Sequence, residues 1–230
     1  LLVDVAMTNS FRSSNCGAMI YRSLCGLASD VPPVRFFAMD AIAMLIMSRI
    51  AGDDDDSSAA FRGPGRMMYS DPRQNQYLAV EKVSTKDVPT TVMSQETLLA
   101  PLCECIRSVE SAVVAEAGIE ALHAILESCG HDFDNDAWTT VIEAVASLPT
   151  EHRSSAEWSN SCLIGFRCLK LIVDDFAALT DPSTAARTSL LDCCYSFGSS
   201  HHDVNTSLTA IGLLWNIADQ DSGTTSIDLA

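Results

Sequence analysis

Apolar and polar positions follow helical periods through most of the chain. At residues 204–218, Val204, Leu208, Ile211, Trp215 and Ala218 recur at steps of four, three, four and three, which is one face of an α-helix. Leu213, Leu214 and Ile217 widen that face, predicting a helix covered on two sides. The same short pattern returns elsewhere: a small residue, a bulky apolar one, a leucine three further on and an isoleucine three beyond that. It reads Ala210-Ile211, Leu214, Ile217; then Gly165-Phe166, Leu169, Ile172; then Gly118-Ile119, Leu122, Ile125. A weaker copy, Ala41-Ile42 with Leu45, has Ser48 in the last place. The bulky position recurs after 45 residues (166 to 211), 47 (119 to 166) and 77 (42 to 119). The first two intervals suit HEAT or armadillo units, helix pairs that bury their apolar faces only by stacking. The third suits them if about 30 to 40 residues are inserted.

Taken in order, the chain predicts one or two helices over 1–11 and 14–29, with Ser13 or Ser14 capping the second. Pro32-Pro33 opens a helix over 34–50 that is apolar almost all round, as expected of one sandwiched inside a stack. Residues 1–51 are thus read as the first helical repeats. Residues 52–93, with Asp53 to Asp56 and the run Arg62-Gly63-Pro64-Gly65-Arg66, lack a sustained period. They predict a long acidic insertion, partly disordered, with at most a short helix at 76–83.

Helical repeats resume over 94–230. Ser94 caps a helix reaching about 109, with Glu96 in its first turn. A helix over 113–129 follows, with Gly130 as its C′ residue, and a shorter one over 136–148 stops at Pro149. Ser154 and Glu157 read as a capping box for a long helix over 156–179. Asp181-Pro182 starts another that ends at Phe197-Gly198, and Asp203 or a neighbour starts the last. No alternating strand pattern interrupts this series, so the fold class is all-α, an α-solenoid of paired helices carrying one insertion.

Charge narrows the possible partners. A net charge of −16 disfavours nucleic acid and a polybasic grip on anionic lipid. The longest apolar run, 41–47, is too short to span a bilayer, and Leu1-Leu2-Val3 has no basic flank and reads as no signal peptide. The chain begins without methionine, so a fragment of a longer, soluble protein is expected. Nine cysteines (Cys16, Cys25, Cys103, Cys105, Cys129, Cys162, Cys168, Cys193 and Cys194) form no Cys-x-x-Cys pair. Their odd number and scatter through apolar helices fit small buried side chains in a reducing cytosol.

Candidate chemistry is sparse. Asp132, Asp134 and Asp136, with Glu143, match ligand positions of an EF-hand loop, but Ala137 stands where its turn needs glycine. Helix capping by Asp134 or Asp136 explains the cluster better. His201-His202 beside Asp203 has no second ligand pair at metal spacing, and His123 lies within a helix. Asn205-Thr206-Ser207 has the form of a glycosylation acceptor, which a cytosolic protein would not use. Asp174-Asp175 read as solvent-facing. The motifs of hydrolases, nucleotide-binding loops and zinc proteases are absent from the sequence. No catalytic, cofactor-binding or metal residue is assigned.

Two segments carry a resemblance. Residues 165–176, from Gly165-Phe166 to Asp175-Phe176, and residues 205–219, from Asn205-Thr206 to Ala218-Asp219, resemble the Mon-two family over about 160–220. These are large Golgi and endosome scaffold proteins related to the BIG-type Arf guanine-nucleotide exchange factors, without the exchange domain. The resemblance implies an armadillo-type solenoid, a peripheral place on trans-Golgi or endosomal membranes and a role in vesicle traffic and retrieval. It further implies Arf-family or Arf-like GTPases and a Dopey-type protein as partners, and no catalytic residue. The competing readings are a HEAT adaptor of nuclear transport or of a phosphatase, and a helical enzyme built on a Cys–His pair.

Overall fold

The computed structural model describes residues 14–50, 94–108, 110–150, 153, 155–177, 184–200 and 203–224, with backbone alone at 14–19, 21 and 221–224. The predicted helix over 1–11, the insertion 52–93, Ser154, Asp181-Pro182 and His201-His202 lie outside the described residues. Every element described is helical: α1 (Ser14–Asp30), α2 (Arg35–Ile50), α3 (Gln95–Arg107), α4 (Ala112–Cys129), α5 (Asn135–Ala146), α6 (Ser159–Leu171), α7 (Ala185–Gly198) and α8 (Val204–Thr224). The class is all-α.

Helix starts fall where short polar side chains can satisfy free backbone N–H groups. Ser94 Oγ accepts from Thr97 N at 3.3 Å, Ser111 Oγ from Val114 N at 3.4 Å and Asp134 Oδ1 from Ala137 N at 2.8 Å. Asp203 Oδ2 takes both the N–H and the hydroxyl of Thr206 at 2.8 Å. Pro32–Val34 forms a 3₁₀ turn that delivers the chain into α2.

Each helix packs on a sequence neighbour, and all but α8 pack on the next but one. The odd helices α1, α3, α5 and α7 make one row, and α2, α4 and α6 a second row beside it. Within the odd row, Gln95 is a splint: its Nε2 donates to Asp132 O and its Oε1 accepts from Asp134 N, both at 2.9 Å. The core lies between the rows. The small residue of the recurring pattern is where the two helices of a pair approach. A Cβ on Gly118 would stand 3.0 Å from Ile106 Cγ1, and one on Gly165 would overlap Leu148 Cδ1.

Four expectations need correction. First, the stripe Val204, Leu208, Ile211 and Trp215 is not the buried face of α8. Val204 is 74% and Trp215 69% exposed, while Ala210, Leu213 and Ile217 on another side meet the core. Periodicity locates an apolar stripe, but only a neighbouring helix decides which of two stripes is covered, and α8 packs mainly on α7. Second, α2 is open along Phe36, Phe37, Asp40 and Met44, not sandwiched on all sides. Third, Gly130 has φ −58°, so it is no left-handed cap; it begins a 3₁₀ turn, and a Cβ there would stand 2.9 Å from Phe176 Cζ. Fourth, the long helix expected over 156–179 is composite. It runs as a 3₁₀ turn (Ala156–Trp158), α6, and a π-helical turn (Ile172–Phe176) that brings Phe176 against Trp138, ring centroids 5.2 Å apart.

Candidate docking face

The second row turns one continuous surface outward. Steps of three and four place Phe37, Asp40 and Met44 on one stripe of α2, with Phe36 at its edge. They place Val113, Glu116, Glu120, His123 and Glu127 on α4, and Asn160, Leu163, Arg167 and Lys170 on α6. Asn160 Nδ2 donates to Glu116 Oε1, which ties α4 to α6. A shallow groove of about 230 Å³ lined by Glu120, His123, Asn160, Ile164 and Arg167 runs between those helices.

Apolar exposure differs between α2, α4 and α6 on one side and α3 and α5 on the other, while α1 and α7 of the odd row show Leu27 and Tyr195 to solvent. Phe36, Phe37, Met44, Val113 and Leu163 are large apolar side chains in solvent on the even row, and Phe37 is 76% exposed. Along the described lengths of α3 and α5, by contrast, no large apolar side chain is exposed. The apolar group is edged by carboxylates. Partial burial, then Glu116, then Asp40 raise the Glu120 carboxyl above its ordinary value, which places Asp40 of α2 and both glutamates of α4 in one field.

Behind this face the polar groups serve structure. Arg153, in the connection after α5, is 1% exposed; its Nη2 donates to Arg107 O and to Ser108 O, the latter at 3.1 Å, at the C-terminus of α3. Arg107 continues the link, donating to Thr140 O at 3.1 Å and standing 3.8 Å from Glu143. Arg187 is also buried and bonds Ala177 O at 3.0 Å and Ile217 O at 3.4 Å, joining the end of the π-helical turn to α8. Sequence reasoning missed all of these. Arg153 lies in a connection and Arg107 and Arg187 in helices, and a lone arginine carries no periodic signal in either, although an aromatic five residues on, as Trp158 follows Arg153, is a hint of stacking.

The residues considered for chemistry are dispersed. Asp134 caps α5, Glu143 faces Arg107, and His131 Nε2 is 3.2 Å from Asp132 Oδ2. His123 Nδ1 is 3.6 Å from Glu127 Oε2. Among the described residues, no three His, Cys, Asp or Glu side chains gather closely enough to hold a metal ion. Asp174 and Asp175 are exposed in the π-helical turn, and Asn205 to Ser207 form the first turn of α8. Eight cysteines, from Cys25 to Cys194, are buried free thiols. Burial pushes Cys103, Cys129, Cys168 and Cys194 up to about 12, far from the range of a nucleophile. No helix of the described residues is long and apolar enough to cross a membrane.

Comparison with curated proteins gives consistent relatives. The chain is 30% identical over 150 residues to the MON2 homolog of Schizosaccharomyces pombe, which covers 60% of this chain and 9% of that protein. It is 33% identical over 122 residues to the Homo sapiens MON2 homolog, covering 53% and 7% of the two chains. With the Xenopus laevis MON2 homolog the identity is 35% over 101 residues, covering 44% and 5%. The chain spans less than a tenth of the length of these relatives. No family model matches it, and neither does any solved structure.

Proposed function

The chain belongs to the Mon-two family, and from that premise we propose that it is a non-enzymatic segment of a Golgi- and endosome-associated trafficking scaffold. Its matches to relatives from fission yeast to human carry this reading. The finer architecture we propose is a HEAT/armadillo-type α-solenoid, supported by the two rows of helices and by the close approach of each pair at Gly118 and Gly165. Such a stack offers its neighbours an extended surface and works by contact. Buried free thiols and helix-capping carboxylates accord with that role.

In this reading the parent protein sits peripherally on trans-Golgi or endosomal membranes and acts in vesicle-mediated transport and retrieval. It works with Arf-family or Arf-like GTPases and a Dopey-type protein, as the resemblance implies. Proximity labelling of the full-length protein in cells, followed by co-purification, tests it. Recovery of Golgi or endosomal proteins together with a small GTPase or a Dopey-type protein supports the proposal. Recovery of nuclear-transport cargo or phosphatase subunits in their place overturns it in favour of an adaptor of another pathway.

A further inference from the structure

We propose that the open face of α2 and α4 docks a basic amphipathic helical segment of a partner protein, whose apolar side rests on Phe36, Phe37, Met44 and Val113 while its lysines or arginines meet Asp40, Glu116 and Glu120. This rests on the scaffold reading above and names the class of partner for one of its surfaces.

Three observations carry it. Phenylalanine side chains standing in water on one edge of a stacked row are costly to leave uncovered, and such contiguous patches mark interaction sites. Helix-in-groove recognition needs apolar anchors at helical spacing, and Phe37, Met44 and Val113 on neighbouring helices can receive them. Charge then selects the occupant. Glu116 and Glu120 stand one turn apart on α4, and Asp40 on the adjoining α2 adds to the repulsion on Glu120. His123 is the one basic-type side chain of the two stripes and lies beyond Glu120, away from Glu116, so a cationic segment relieves a repulsion present in the free protein. Of the other basic residues of the row, Arg35 of α2 is turned to Ala28 O and Ser29 O of α1, and Arg49 lies in the last turn of α2. Arg167 and Lys170 stand on α6, Arg167 lining the groove across from Glu120, so the open charge near Phe37 is that of Asp40. The other apolar stripe, on α8, has no charged residue between Val204 and Ala218 to choose a partner.

The test uses the full chain and a labelled peptide of leucine and lysine with leucines at i, i+3, i+4 and i+7, followed by fluorescence anisotropy. Saturable binding that weakens with added salt is expected, along with none to the same peptide with glutamate for lysine. Phe37→Ala should cost about tenfold in affinity without altering the thermal melt, because Phe37 is an exposed anchor. Glu120→Gln should weaken binding several-fold while leaving the melting temperature equal or higher, a combination no structural role for Glu120 produces. Equal binding of the acidic peptide overturns the proposal. So does indifference to Phe37→Ala, or a concentration-dependent dimer that loses its contact with Phe37→Ala and ignores peptide. Any of these leaves the cellular labelling result untouched, so failure here is separable from failure of the trafficking reading.

Discussion

The guanidinium of Arg153 sits over the ring of Trp158, 4.4 Å from its centroid, while the same group reaches the last carbonyls of α3. One side chain thus joins the connection after α5, the turn leading into α6 and the end of α3. Helix C-termini leave carbonyls without intrahelical donors, and a buried cation with several N–H groups satisfies two of them at once. Arg153→Met is expected to cost about 3 kcal/mol, since it strands buried acceptors as well as losing the stacked cation. Arg153→Lys should recover little of it, because an ammonium cannot present the planar fork. Denaturant titration checks both, and a loss below about 0.5 kcal/mol for the methionine variant would remove Arg153 from the stability argument.

Much of this architecture is legible in the residues, for local reasons. Ser94, Asp134 and Asp203 mark helix starts because capping needs only a side chain and its own following turn. The recurring small-plus-bulky pattern identifies the inner helices because Gly118 and Gly165 are small for a contact that repeats. What escapes the sequence is decided by neighbours. The burial of Ile42 and Ile119 against the 43% exposure of Ile211 depends on which helix lies beside each copy. The π-helical turn that places Phe176 against Trp138 is likewise a product of packing. The docking face was readable in one respect: Asp40 is the single acid in an apolar helix, and its stripe includes Phe37 and Met44.

The glycines give a paired test of close approach. Gly165→Ala puts a methyl group into Leu148 and is expected to destabilise by about 1–2 kcal/mol, the overpacking cost exceeding the gain in helix propensity. Gly212 has nothing within 4 Å of an added Cβ, so Gly212→Ala should stabilise by about 0.5–1 kcal/mol. Thermal unfolding of both variants reads the contrast, and equal shifts would show that helix pairs do not meet at Gly165.

Thiol reactivity should be ordered along the chain. Burial raises Cys103, Cys129 and Cys168 to about 12, so their thiolate fraction near neutral pH is on the order of 10⁻⁴ or below. Cys105 differs: a hydrogen bond from the Cys25 thiol lowers it against the opposing effect of its own burial, and Cys25 is raised by the same pairing. Among the described cysteines, Cys105 is expected to alkylate first in the native protein, and Cys25→Ala to slow it. Peptide mapping after brief alkylation gives the order, and first labelling at Cys168 would contradict it.

The cap of α8 supplies a pH signature. Thr206 donates its N–H and its hydroxyl to Asp203, holding the carboxyl below its ordinary value of 3.8. A carboxyl with a depressed folded-state pKa stabilises the fold above its unfolded pKa, and that contribution is lost as pH falls through the folded value. Asp203→Ala should therefore lower stability at neutral pH, with the gap to the unsubstituted protein closing below about pH 3.8. Parallel denaturation curves across that range would expose a cap of no consequence as a gap that never opens.

The uncovered stripe of α8 separates folding from association. Val204, Leu208 and Trp215 contribute little to the core of this chain because they are mostly in water, whereas Leu213 and Ile217 on another side are buried. Replacing Leu208 and Trp215 together by glutamine should leave unfolding free energy within about 0.5 kcal/mol, as expected for exposed positions. The same change removes the largest apolar surfaces α8 shows to solvent and should raise solubility and reduce concentration-dependent scattering. Ile217→Ala works in the opposite sense, costing about 2–4 kcal/mol by leaving a cavity where α8 meets the core. Sedimentation velocity beside denaturation distinguishes the two effects. If the glutamine pair unfolded the protein as readily as Ile217→Ala, the stripe would belong to the core, and the placement of α8 on α7 described above would have to be abandoned.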